Sequence, residues 1–143
     1  MVVIDDAVLL DVLAGLSKID ILAALEDNDL FTTGCWYYRL SRAVHSDQVG
    51  GLLSRQLAGL DVERQVRVVA ALDRLPDLVG LLSLRDLVPV MRALRVSRPL
   101  NLLNAEALPA ALVLDAELVV STGGPLLRQA AGELGVGYSL RSR

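Results

Sequence analysis

The chain is short of most of what builds a familiar reaction centre. Cysteine and histidine occur once each, as Cys35 and His45, so there is no internal disulfide and no thiolate zinc site. Lysine also occurs once, as Lys18, and the formal net charge is -3, so no global positive field draws the chain to nucleic acid. Only five of the 143 residues are aromatic, which leaves a core to be built from Leu, Val and Ala. Long apolar runs are missing as well. The longest, Ala107 to Leu114, is eight residues with Pro109 inside it, far below the roughly 18 to 20 that a membrane span needs. The N-terminus carries no basic leader or small-residue cleavage site, so the expectation is a cytoplasmic protein without a membrane.

What the chain does have is aliphatic surface. Hydrophobic residues make up 53% and the mean hydropathy is +0.48. A single domain spanning 1–143 buries roughly 70% of its unfolded surface. The surplus is expected on an apolar patch, and patches of more than a few hundred Å² mark partner surfaces; a homodimer is the plain expectation.

The opening run, Met1-Val2-Val3-Ile4-Asp5-Asp6, is apolar without alternation until it meets two carboxylates. That pattern reads as a strand buried on both faces, central in a parallel sheet. Polar residues at its carboxyl end enter the crevice where open α/β sheets hold ligands, which makes Asp5 the first candidate for chemistry. A helix follows on Val8, Leu9, Val12, Leu13 and Leu16, capped by Asp5 or Asp6 and closed by Gly15. Ser17 and Asp20 suggest a capping box for a second short helix, and Glu26-Asp27-Asn28-Asp29 is a turn.

Leu30 to Thr33 is strand-like, and Cys35 to Val44 is a helix that opens on Trp36-Tyr37-Tyr38-Arg39. A short helix is expected between Asp47 and Leu57, interrupted by Gly50-Gly51. Asp61 caps a stronger one, whose apolar face is predicted to be Val62, Val66, Val69, Ala70 and Leu72. Val79 to Leu84 is a strand, Arg85 to Leu94 a helix, Leu103 to Leu114 a helix bent or begun by Pro109, Glu117 to Ser121 a strand, Leu126 to Leu134 a helix ended by Gly135, and Val136 to Leu140 a last strand. This alternation predicts an α/β fold, a three-layer α/β/α sandwich around a mostly parallel sheet of about five strands.

Two known families share such a beginning. The receiver domains of response regulators resemble Val3-Ile4-Asp5-Asp6, but they need a later phospho-accepting Asp and a Lys beyond it, and Lys18 comes too early. The chain more closely resembles the PIN-like family of small metal-dependent ribonucleases, which includes the toxins of many toxin–antitoxin pairs. The resemblance lies in Val2 to Asp11, in Leu100 to Leu112, and in Ala116 to Thr122. It implies about four acidic residues gathered at one end of the sheet around Mg²⁺ or Mn²⁺, which activates water for attack on a phosphodiester.

Residue by residue, Asp5 matches the first acid and is the implied metal ligand. The second position falls on Arg39 or its neighbours Tyr38 and Leu40, the third on Asn104 and the fourth on Thr122, none of them acidic. Asp6 and Glu106 are the nearby carboxylates left to compensate, though Glu106 points about 200° around its helix from Asn104. The resemblance therefore implies a degenerate nuclease that acts by binding to itself, to an antitoxin-like protein partner or to RNA, with no cofactor. The alternative is a weak Mg²⁺- or Mn²⁺-dependent ribonuclease using Asp5, Asp6 and Glu106 as catalytic residues. Arg39 offers a third role for the first acid, pairing with Asp5 in the space a metal would take.

The cluster Trp36, Tyr37, Tyr38, Arg39 and Arg42 reads in two ways. It is either a stacking platform for RNA, where each base gains about 1 to 3 kcal/mol, or a core or dimer seam on which Trp36, Leu40, Ala43 and Val44 share a face. The acidic net charge argues against RNA. Ser121-Thr122-Gly123-Gly124 lacks the spacing of a phosphate loop and reads as a turn.

Overall fold

A computed structural model describes residues 1–46 and 51–141. The elements in chain order are β1 (Val2–Ile4), α1 (Asp6–Leu13), α2 (Ile19–Glu26), β2 (Leu30–Thr32), α3 (Gly34–Val44), α4 (Leu52–Ala58), α5 (Val62–Asp73), β3 (Val79–Leu81), α6 (Leu84–Ala93), α7 (Leu102–Leu114), β4 (Glu117–Val120), α8 (Pro125–Glu133) and β5 (Tyr138–Leu140). All strand pairs are parallel and the sheet order is β3-β2-β1-β4-β5. The fold is a three-layer α/β/α sandwich with β1 at the centre of the sheet.

Strict alternation along the central strands fills both faces. Ile4 and Val119 point to one side, where they meet Leu9, Leu13, Leu40, Val68 and Leu72 from α1, α3 and α5. Val3, Leu118 and Val120 point to the other, where Leu108, Ala111 and Leu127 of α7 and α8 cover them. Val3, Ile4, Leu118, Val119 and Val120 are all buried, so over these positions both faces are covered and every residue is apolar.

Helix ends are set by short polar side chains. Asp5, Thr33, Asp61, Ser83 and Asn101 each accept an amide hydrogen of the following helix, as capping requires. Gly15 and Gly135 follow α1 and α8 with φ of 75° and 69°, left-handed values that glycine adopts without strain. Ser17 does not cap α2: Lys18 holds that position, with no side-chain bond to the helix. Asp47 to Gly50, the start of the expected short helix, lie outside the described residues, and α4 begins at Leu52.

The face predicted for α5 is corrected. Of the predicted residues Leu72 is buried and Val69 half-buried, but Val62 and Val66 are 74% and 63% exposed and Ala70 is exposed; Val68 is buried instead, with Ala71 and Leu75 packed against the same core. Both stripes of this helix are aliphatic, and contact with α1 and α3 selects the second one. Among the described residues no helix is long and apolar enough to cross a membrane.

Candidate functional site

In this strand order the chain moves outward from β1 to β2 and β3, then crosses back to β4 on the other side of β1. The carboxyl ends of β1 and β4 therefore flank the topological switch point, where open α/β sheets form their crevice. Asp5 and Asp6 leave β1 there, and Ser121 and Thr122 leave β4. The crevice opens into a cleft of about 460 Å³, walled by Asp6, Ala7, Ser121 and Thr122 from the sheet edge, by Arg39 of α3, and by Leu52, Leu53, Arg55 and Gln56 of α4.

Asp5 is buried and fully engaged. One carboxylate oxygen accepts the Val8 amide at 2.9 Å, and the other accepts both the amide and the hydroxyl of Ser121, at 2.7 and 2.9 Å. It caps α1 and ties the ends of β1 and β4 together across the switch point. Burial raises its pKa above the ordinary 3.8; the hydrogen bonds from Val8 and Ser121 act against that shift, and the charge of Asp6 adds to it.

The neighbouring carboxylate has a different partner. Asp6 is buried, and Arg39 Nε donates to its Oδ2, joining the first turn of α1 to the middle of α3. The arginine expected at the cleft is there, but it pairs with Asp6 and not with Asp5. The reason is local: the capping bond to Val8 and the two bonds from Ser121 turn the Asp5 carboxylate toward β4, whereas the Asp6 side chain, one residue into the helix, faces α3. Half of the Arg39 side chain remains exposed, and the residue lines the cleft.

Glu106 does not join these two. It is buried under the start of α3, where its Oε1 accepts the Cys35 amide at 2.8 Å and its Oε2 has no partner among the described residues. The carboxylate thus sits at the positive end of α3, and both oxygens would be 3.8 Å from a Cβ placed on Gly34. Burial raises the pKa of the Cys35 thiol, and the charge and hydrogen bonding of Glu106 raise it further.

Asn104 lies in the first turn of α7, its amide accepted by Asn101 at 2.9 Å, and does not line the cleft. Thr122 does, and is exposed. Of the aromatic cluster, Trp36 belongs to the core at 3% exposure and so is corrected as a candidate contact for RNA or a partner. Tyr37 is half-buried, its hydroxyl donating to the Leu72 carbonyl at 2.5 Å. Tyr38, Arg39 and Arg42 are the exposed members. Sequence reasoning missed Ser121 as the partner of Asp5 and Gln56 as a cleft residue. Gln56 donates to the Ala7 carbonyl and to Asp11, both at 3.1 Å, contacts over more than 40 positions that no local spacing announces.

This donor set does not suit a hard divalent ion, which needs uncommitted oxygens. Asp5 already accepts three hydrogen bonds, Asp6 is neutralised by a guanidinium, and Glu106, though its Oε2 is unpartnered, lies under the start of α3 and does not line the cleft. Among the described residues no three His, Cys, Asp or Glu side chains are grouped to hold a metal. The cleft instead presents two guanidinium groups against one carboxylate, with amide and hydroxyl groups between them. No family model, no curated protein and no solved structure matches the chain.

Proposed function

We propose that the chain is a PIN-like domain whose cleft binds without cutting. The observation that carries this reading is the ion pair between Asp6 and Arg39. Where the PIN-like resemblance expects a second acid, this chain has an arginine, and that arginine neutralises the carboxylate nearest the cleft. The commitment of Asp5 to Ser121 supports the same reading, as do Asn104 and Thr122 at the other two acid positions.

With Arg39 and Arg55 facing a single carboxylate, the cleft favours an anionic group, because a guanidinium binds phosphates and carboxylates in a planar, two-pronged contact. The ligand is then the phosphate backbone of an RNA or an acidic segment of an antitoxin-like protein partner. Exposed aliphatic side chains, including Ile19, Leu22, Val62 and Val66, support self-association as a dimer; light scattering on the purified chain reads that directly.

The test of the central reading is an RNA cleavage assay with added Mn²⁺, run beside Asp5→Ala. No cleavage above the control is expected, together with binding of a labelled RNA or acidic peptide that is weakened by Arg39→Glu and by Arg55→Glu. Cleavage that depends on Asp5 would identify a weak ribonuclease instead.

A further inference from the structure

We infer that the hollow between α1 and α2 is a second binding site, suited to a small apolar carboxylate. Its walls are Val8 and Val12, one turn apart on α1, Leu16 in the link that follows, and Ile21 on α2, enclosing about 180 Å³. An apolar cavity of about 150 Å³ stays dry and admits benzene, so this one suits a body of about six carbon atoms.

Its rim carries two cations, Lys18 and Arg141, beside the carboxylate of Asp11, and part of the rim lacks a partner. Lys18, the N-cap of α2, is exposed and makes no ion pair among the described residues. Arg141, just past β5, is anchored by its amide to the Val120 carbonyl at 2.7 Å. Its terminal nitrogen donates to Asp20, but its Nε is buried with no acceptor among the described residues. A buried donor without an acceptor is unfavourable. A carboxylate supplies a counter-charge for Lys18 beside the guanidinium of Arg141 while its alkyl body fills the hollow.

Asp11, on the α1 wall and bonded by Gln56, repels the head group from that side and turns it toward the two cations. Ser121 lines this hollow and also the cleft, so its amide reports occupancy without belonging to the cationic rim.

The test is a titration of the intact chain followed by amide NMR, using hexanoate, hexanol and hexylamine as probes. Hexanoate is expected to bind saturably, shifting the amides of Val12, Ile21 and Ser121, and to bind at least about tenfold more tightly than hexanol or hexylamine. Lys18→Glu, at an exposed position, is expected to weaken hexanoate by about tenfold or more with the melting temperature unchanged; Val12→Trp fills the hollow and abolishes binding. Absence of saturable shifts, equal binding of hexylamine, or full affinity in Lys18→Glu would overturn the assignment.

Discussion

Arg39 reaches across 33 positions of sequence to neutralise Asp6, and with that contact α3 is fastened to the first turn of α1. Asp6 is buried while half of the Arg39 side chain is in water, so the two ends of the pair are unequal. Removing the arginine strands a buried carboxylate, whereas removing the carboxylate frees an arginine that water already solvates. Arg39→Ala is therefore expected to destabilise the fold by about 1 to 2 kcal/mol, below the usual range for breaking a buried pair because of that exposure. Asp6→Asn should cost less, and the double variant should recover most of the Arg39→Ala loss. Urea unfolding of the four proteins in a double-mutant cycle measures the coupling; additive losses would show that the pair is not a significant contact.

Asp5 predicts how stability responds to acid. Its folded pKa lies above the ordinary 3.8 because burial outweighs its hydrogen bonds. Between the unfolded and folded values the native state holds the proton and the unfolded state has lost it, so this residue's contribution falls as pH rises through that window and is level above it. Unfolding free energies of the wild type and Asp5→Asn, measured from pH 3 to 7, test this. The wild type should gain on the variant as pH is lowered toward 3.8 from above. A difference that is flat, or that runs the other way, would mean the hydrogen bonds from Val8 and Ser121 dominate.

The orphaned Oε2 of Glu106 makes Glu106→Gln informative. The glutamine carbonyl still accepts the Cys35 amide, and a buried unpaired charge disappears, so stability should change by less than about 1 kcal/mol despite full burial. Glu106→Ala, which leaves the Cys35 amide without an acceptor and opens a void, should cost about 2 to 4 kcal/mol. Because the carboxylate raises the pKa of the Cys35 thiol, Glu106→Gln should also shift the pH profile of Cys35 alkylation to lower pH, leaving the burial effect in place. An unmoved profile would disconnect the two side chains.

A close approach at the second turn past β4 gives a structural control. A Cβ on Gly123 would lie 1.6 Å from the Tyr138 hydroxyl oxygen and 2.9 Å from the carbon that carries it. Gly123→Ala should displace the ring and cost about 1 to 3 kcal/mol. Tyr138→Phe removes the atom in conflict and should restore most of the loss, which thermal unfolding of the single and double variants will show. No rescue would place the cost in the backbone rather than in this contact.

How far the sequence foretold this arrangement depends on the range of the contacts. The central place of β1 follows from three apolar residues with no polar alternation, and the cap on α1 follows from an Asp at its start; both are local patterns. The buried face of α5 was legible only in part: Leu72 was read correctly, but Val62 and Val66 repeat at helical spacing as regularly as Val68 and Leu72, and only the neighbouring helices choose between them. That a carboxylate at the strand end needs a cationic partner could be read from the residues; Arg39 as that partner was suggested only through the resemblance to the PIN-like family. Which carboxylate it takes could not be read from either, since that depends on Ser121, 116 positions away, claiming Asp5. Glu106 was legible as pointing away from Asn104 but not as the residue that holds the start of α3.

The position of β1 in the sheet also sets the order in which the chain can fold as it is made. Ile4 pairs with Val119, so one edge of the central strand stays open until 115 further residues have been synthesised. At about 5 to 20 residues per second that wait lasts roughly 6 to 23 s. For that interval Val2, Val3 and Ile4 form an apolar edge next to β2 with nothing on the other side, the kind of edge to which another chain can add a strand. The nascent polypeptide is thus most exposed to aggregation, and most in need of a chaperone, until β4 emerges and closes the sheet.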